Sequence, residues 1–249
     1  MAPSFDHGGS SLTDAWDAQA EAWIRWARTP GHDDYYELYN LPQFLELLPP
    51  PGRLTLDLGA GEGRLGRVLR GLGHRVVGVE PSWALGHAAH EADPEIPIVR
   101  AVGTAVPVVD GAADLVVCFM VLQDVDDLAR VVEEIARVLA PDGVACVGIV
   151  HPMVSAGFFD PDEPMLYVGR YLEVMRNIFS VDRDGVPFTF HSAHRSLEVY
   201  SRAFEDAGLT IGAIREPQIS AEHVGLRPAL ERHRLLPNFL YFALRPRSR

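Results

Sequence analysis

Between residues 54 and 150 the chain alternates short apolar runs with segments in which apolar positions recur every three or four residues. The runs cover 54–58, 75–79, 98–102, 114–119 and 144–150; the periodic segments cover 63–71, 82–92 and 128–139. Continuous apolar strands alternating with amphipathic helices predict a parallel sheet covered on both faces. Upstream, 14–28 reads as one amphipathic helix, capped by Thr13 and ended by Thr29-Pro30-Gly31, with Trp16, Ala20, Trp23 and Ala27 on one face. A second helical stretch, 35–48, stops at Pro49-Pro50-Pro51-Gly52, and residues 1–12 read as a frayed end. Downstream, 196–207 reads as a helix closed by Gly208, followed by strands at 210–216 and 238–245. Residues 155–192 break the pattern: they carry Phe158, Phe159, Tyr167, Tyr171, Phe179, Phe188 and Phe190, with Asp184-Gly185 as a hairpin turn. The organisation expected is an N-terminal helical cap (1–50) and one main domain (51–249) carrying a lid insertion (155–192) after its fifth strand.

Charge and composition narrow the partners. The 249 residues carry a net charge of −12 with a pI near 5.2, a surface that repels phosphate backbones and anionic lipid, so neither nucleic acid nor membrane is an expected partner. The longest apolar run, 115–122, is far short of the ~20 residues of a membrane span. The first residues lack the basic and apolar regions of a secretory signal, and a cytoplasmic protein is expected. Every basic residue is arginine; without lysine there is no Schiff base, pyridoxal anchor or P-loop lysine. Cys118 and Cys146 sit in apolar runs without CxxC spacing and read as buried thiols.

The densest chemistry lies in Leu56-Asp57-Leu58-Gly59-Ala60-Gly61-Glu62-Gly63-Arg64-Leu65-Gly66. Glycines after a first strand let the backbone turn tightly and approach a nucleotide-type ligand. Gly61, Gly63 and Gly66 satisfy GxGxxG, which keeps a nicotinamide or flavin site under consideration. Asp57, however, directly precedes the glycines, where a carboxylate opposes a pyrophosphate and suits a cation. Glu80 ends the second strand, where a carboxylate accepts from both ribose hydroxyls.

Joined to Glu133-Glu134-Ile135-Ala136-Arg137-Val138-Leu139-Ala140-Pro141-Asp142-Gly143, these features resemble the class I S-adenosylmethionine-dependent methyltransferases, in particular those acting on small molecules. The resemblance covers roughly residues 52–150; 1–50 and 155–192 match no motif. It implies an α/β, Rossmann-like, seven-stranded and mostly parallel sheet with helices on both faces, 238–245 supplying a final antiparallel strand. It implies S-adenosylmethionine as cofactor, with Asp57, Gly59, Ala60, Gly61 and Gly63 cradling the methionine portion. Glu80 would hold the ribose, and Pro81 and Ser82 would border the adenine. Many relatives meet the adenine amino group with an acid near the end of the third strand. Val102 stands there, so backbone at Gly103, Thr104 and Ala105 is the expected substitute. Phe119, Met120 and Val121 would line the donor.

Methyl transfer asks a protein mainly to position a nucleophile and exclude water. Three histidines are candidate proton acceptors: His151 after the fifth strand, and His191 and His194 between the insertion and the 196–207 helix. The alternative for each is a hydrogen bond to a loop backbone. The His191-x-x-His194 pair lacks further ligands, and no metal is expected. Gln123 is a candidate acceptor contact. Asp124, Asp126 and Asp127 read as a solvated helix start, with magnesium as the alternative. Tyr35, Tyr36, Phe158, Phe159 and Tyr167 are candidate substrate residues, with core packing as the alternative. The expected function is methyl transfer to an oxygen or nitrogen of a small aromatic metabolite, with homodimer formation open. Carbon methylation of the quinone-biosynthetic kind, a donor-binding protein that does not methylate, and a nicotinamide-dependent oxidoreductase are the alternatives.

Overall fold

The computed structural model describes residues 4–6, 10–160 and 165–247; the rest of the frayed end expected at 1–12 lies outside the described residues. In chain order the first elements are β1 (Ser4–Asp6), α1 (Leu12–Ala18), α2 (Ala20–Arg28), a π-helical turn at Tyr36–Asn40 and α3 (Leu41–Leu45). The alternating section holds β2 (Thr55–Leu58), α4 (Arg64–Gly71), β3 (Val76–Val79), α5 (Trp83–Ala92), β4 (Ile98–Val99), β5 (Ala113–Phe119), α6 (Leu128–Val138) and β6 (Leu139–Val150). The insertion holds α7 (Pro152–Ser155), β7 (Gly157–Phe159), β8 (Leu166–Val168), β9 (Met175–Arg183) and β10 (Val186–His194). The chain then forms α8 (Leu197–Asp206), β11 (Leu209–Arg215), α9 (Ala221–Leu226), a 3-10 segment at Pro228–Arg234 and β12 (Phe239–Pro246).

Seven strands form one sheet in the order β11-β12-β6-β5-β2-β3-β4. The pairs from β6 to β4 are parallel, and β12 is antiparallel to both β6 and β11. Successive residues of β5 serve opposite faces, as a pleated strand requires. Val116 and Cys118 join a core with Leu128, Val132 and Ile135 of α6 and Tyr200 and Phe204 of α8. Leu115, Val117 and Phe119 join the other, with Phe44, Leu65, Leu69 and Tyr241. Sequential β-α-β order sends each parallel strand out at the same edge, so the loops after β2, β3, β5 and β6 gather there. No described helix is long and apolar enough to cross a membrane.

The expected 14–28 helix is two helices that meet at Gln19, and Ser11 rather than Thr13 caps the first, accepting from the Asp14 N–H. The break lets Trp16, Trp23 and Trp26 all reach Phe188 of β10, at centroid distances of 5.7, 5.1 and 6.3 Å. The expected 35–48 helix is interrupted because Pro42 has no N–H for the ladder, and the wide turn before it buries Asn40 against the Tyr241 hydroxyl. The strand expected at 98–102 ends at Val99, and Val102 is exposed. β1 is not frayed; it pairs with β9. The hairpin turns at Asp184-Gly185, both at positive φ (53° and 76°), and β10 runs on past residue 192. His191 and His194 therefore stand on a strand, paired with Ile178 and Met175.

Candidate functional site

The glycine loop leaves β2 at the sheet's carboxyl edge, and the Gly59 and Ala60 N–H groups both donate to the Val79 carbonyl. Gly59 and Gly61 are both left-handed, at φ 76° and 58°, but for different reasons. A Cβ on Gly59 would lie 2.5 Å from Val121 Cγ2, so that glycine serves close packing. A Cβ on Gly61 would meet only Trp23 Nε1, at an ordinary contact distance of 3.8 Å, so close packing does not account for that glycine.

Two buried carboxylates flank this loop. Glu80 accepts from the Gly61 N–H at 2.8 Å and the Ser82 N–H at 3.0 Å. Burial nevertheless pushes its carboxyl up to about 7, against the pull of those two N–H groups. Asp57 is also pushed up to about 7, by burial and then by the charge of Glu80, opposed by the Gly66 N–H. Its Oδ2 is buried without a hydrogen-bond partner among the described residues. Among the described residues neither carboxylate has a cationic partner. Orphaned carboxylate oxygen in a buried site fits a ligand that carries its own positive charge. With Glu80 beside Gly61, the residues fit a sulfonium nucleoside better than a pyrophosphate.

The N-terminal helices cover the loop. Arg28 binds Glu62 and the Ala88 carbonyl, both at 2.8 Å, and the Ser82 hydroxyl donates to Asp17 at 2.5 Å. Arg64, on Asp33 at 2.7 Å, lies between the Trp23 and Tyr36 rings, 4.9 and 3.5 Å from their centroids. Tyr36 reaches Phe119 at 6.0 Å, and its hydroxyl is buried without a partner. After β5, Met120 is held at φ 61°, and buried Gln123 keeps an unpartnered Oε1. Pro81 is half-buried; its carbonyl accepts from Arg100. In the Gly103-Thr104-Ala105 loop, the Thr104 carbonyl is taken by Arg130 and the Ala105 N–H by Val102.

The remaining candidates fall in different places. Tyr35 donates or accepts with His233 Nε2 at 3.2 Å, and Phe159 packs edge-on to the same imidazole at 4.8 Å. Phe158 and Tyr167 stack on each other at 5.3 Å on the exposed side of the β7–β8 ribbon. His151 caps α7: its Nδ1 accepts from the Met153 N–H, so Nε2 carries the proton toward Glu216 at 3.1 Å. Burial lowers its pKa, with Glu216 opposing. His194 is fully enclosed, held by the Ser155 hydroxyl at 2.7 Å and the Tyr171 carbonyl at 2.8 Å. That gives its ring a bracing role inside the insertion. His191 lies half-buried on β10 beside a cavity of about 90 Å³ with Ser10, Leu12 and Arg176. No group of three or more metal-ligating side chains occurs among the described residues. Arg64 lies inside the glycine motif but was given no role from sequence, and Arg232 and His233 have neighbours in sequence that carry no motif to mark them.

A family profile described as a methyltransferase domain matches residues 56–147. An uncharacterised methyltransferase of Mycobacteroides abscessus is 32% identical over 141 residues, 55% of this chain and 54% of its own length. The chain thus spans about half the length of the curated relatives it matches. An S-adenosylmethionine-dependent methyltransferase from Mesorhizobium loti superposes with a TM-score of 0.69 at 24% identity, over 82% of this chain and 96% of that one. The 1,6-didemethyltoxoflavin N1-methyltransferase of Burkholderia thailandensis, solved with S-adenosylhomocysteine, gives a TM-score of 0.62 at 13% identity, over 99% and 95%. The glycine loop, Glu80 and the strand order agree with these likenesses: residues 56–147 match a methyltransferase domain, and the fold is that of solved S-adenosylmethionine-dependent methyltransferases.

Proposed function

We propose that the chain transfers a methyl group from S-adenosylmethionine to an oxygen or nitrogen of a small aromatic acceptor. The observation that carries this reading is the pair of buried carboxylates at the glycine loop, Asp57 and Glu80, neither balanced by a cation among the described residues. A pyrophosphate would add charge of the same sign there, which argues against a nicotinamide dinucleotide. Bound at this loop, S-adenosylmethionine supplies a methyl on a positively charged sulfur that keeps the bonding electron pair as the methyl leaves.

The chain's residues have three tasks. Asp57 and Glu80 hold the donor by charge and by ribose hydroxyls. Residues 1–50 act as a cap, with Trp23 and Tyr36 keeping water from the donor, and 155–192 act as the lid that selects the acceptor; the packing of Trp16 and Trp23 on Phe188 supports treating them as one cover. The acceptor's proton must leave as its lone pair bonds the methyl. His151, which follows β6 at the edge where the parallel strands end, is the histidine favoured for that step. To accept the proton, its Nδ1 must first release the Met153 N–H. A small molecule in the cytoplasm, rather than nucleic acid, suits a chain with net charge −12.

Calorimetric titration with S-adenosylmethionine, S-adenosylhomocysteine and NAD tests this. Binding of both sulfur nucleosides with no heat from NAD is expected; tighter binding of NAD than of either refutes the reading.

A further inference from the structure

The 3-10 segment Pro228–Arg234 brings a guanidinium to the aromatic cluster that Tyr35, Phe159 and His233 form. Four described arginines, Arg25, Arg75, Arg232 and Arg245, bind no carboxylate or carbonyl of a described residue with their side chains. The other three are exposed; Arg232 is half-buried, and its partner is the Phe159 ring, 5.6 Å from the guanidinium carbon to the centroid. A half-buried guanidinium without an anion among the described residues is an uncommon arrangement in a protein with this excess of acids.

Among the described charges that act on Tyr35, cations outnumber anions. The charged groups that act on the Tyr35 hydroxyl are the carboxylate of Asp34 and the guanidinium groups of Arg232, Arg227 and Arg183. Asp34 is already shared between Arg183 at 3.0 Å and Arg227 at 2.7 Å, which leaves Arg232 as the surplus. His233 is buried and adds no opposing charge; burial and then Arg232 hold its pKa down to about 4, so the ring is neutral at ordinary pH. Its Nδ1 makes no well-formed hydrogen bond, and the hydroxyls of Tyr36 and Tyr39 are likewise buried without one. Tyr39 stands 5.9 Å from Tyr35 and 5.5 Å from Phe239, which opens β12 beside the end of β6. The cluster thus lies at the edge of the sheet where the donor loop also lies, joined to it through Tyr36 and Phe119.

We propose that Arg232 anchors a carboxylate on the methyl acceptor, so that the acceptor is an aromatic acid whose ring lies among Phe159, Tyr35 and His233. A guanidinium matches a carboxylate with two parallel N–H donors, and flat aromatic neighbours suit a ring joined to that group. The overall negative field of the chain would otherwise keep such an acid away, which is the reason a local cation is needed. This inference rests on the methyltransferase reading for the word acceptor, but not for the binding itself.

The test compares acids with their methyl esters. Benzoate, 4-hydroxybenzoate, 2-aminobenzoate and 4-hydroxycinnamate, and the ester of each, are titrated calorimetrically into the full chain, alone and saturated with S-adenosylhomocysteine. At least one acid is expected to bind ten-fold or more tightly than its ester. Arg232→Met should erase that preference and Arg232→Lys should keep part of it, with S-adenosylhomocysteine affinity within two-fold of wild type in both. Esters that bind as well as their acids, an unchanged preference in Arg232→Met, or no binding by any acid overturns the proposal. Failure of S-adenosylhomocysteine to bind overturns the methyltransferase reading instead, while the acid–ester comparison on the chain alone still decides the role of Arg232.

Discussion

Replacing Glu80 by glutamine should make stability less sensitive to pH while weakening donor binding. Glu80 titrates near 7 in the folded chain against an ordinary value of 4.5, because its carboxylate is buried and the Gly61 and Ser82 N–H groups only partly compensate. A carboxyl whose folded value is raised holds its proton more tightly in the folded state. Folding therefore gains from it at low pH and loses that gain as pH rises from about 4.5 through about 7. At 1.36 kcal/mol per unit the full loss is about 3 kcal/mol, of which about 2–3 falls between pH 5 and 8. Glutamine cannot ionise, and its amide presents N–H groups to one of the two backbone donors, a fixed cost of about 1–3 kcal/mol. The difference between wild type and Glu80→Gln should thus shrink, or change sign, by about 2–3 kcal/mol from pH 5 to pH 8. The other groups titrate in both proteins and cancel to first order, whereas Asp57, raised in part by the Glu80 charge, titrates lower in the variant and enlarges the change in the same direction. Urea unfolding followed by tryptophan fluorescence at pH 5, 6, 7 and 8 reads the quantity directly. Calorimetry on the same samples should find S-adenosylhomocysteine weakened at least ten-fold by the substitution. Parallel stability profiles, with a difference constant to within about 0.5 kcal/mol, would refute the account of Glu80 as a buried, unbalanced carboxylate.

Gly59→Ala should lower stability by at least about 2 kcal/mol, since it combines a positive φ with a Cβ 2.5 Å from Val121 Cγ2. Adding Val121→Ala should recover the steric part but not the backbone part, and full recovery in denaturant melts would remove the backbone argument. His151→Ala should slow single-turnover methyl transfer by at least ~10²-fold with donor affinity nearly unchanged. It should also remove the acidic limb of the rate profile, which lies below the ordinary histidine value because burial lowers His151. A normal single-turnover rate would leave positioning as the whole of catalysis.

The alternating section was legible because its information is local. The runs around Leu56, Val77 and Val116 are apolar throughout since both sheet faces are covered, and the helices between them carry one apolar stripe each. The glycine loop was legible for the same reason, with Asp57, the glycines and Glu80 within 24 consecutive positions. What failed to read were contacts between distant segments. The break at Gln19 goes with the packing of Trp16 and Trp23 on Phe188, and the end of β10 with its pairing to Met175. Phe158 and Tyr167 look like Phe159 in the sequence, but alternation along a two-stranded ribbon turns them outward and Phe159 toward His233. His233 and Arg232 carry no local signal, because their meaning comes from Tyr35, 198 residues away for His233.

The contacts of α1 and α2 with the glycine loop have a kinetic consequence if that loop holds the donor as proposed. Asp17 holds Ser82, Arg28 holds Glu62 and Ala88, and Trp23 overhangs Gly61, so the cover rests in part on Gly61 and Ser82, two of the residues proposed to hold the nucleoside. A ligand beneath such a cover can leave only after these contacts part. The donor is therefore expected to enter first and its demethylated product to depart last. Steady-state turnover would then be governed by the rate of uncovering, visible as a burst of one methylated product per chain before the slower regime. Because Arg28–Glu62 is an ion pair with a partly exposed arginine, added salt should quicken that slower regime and leave the burst untouched.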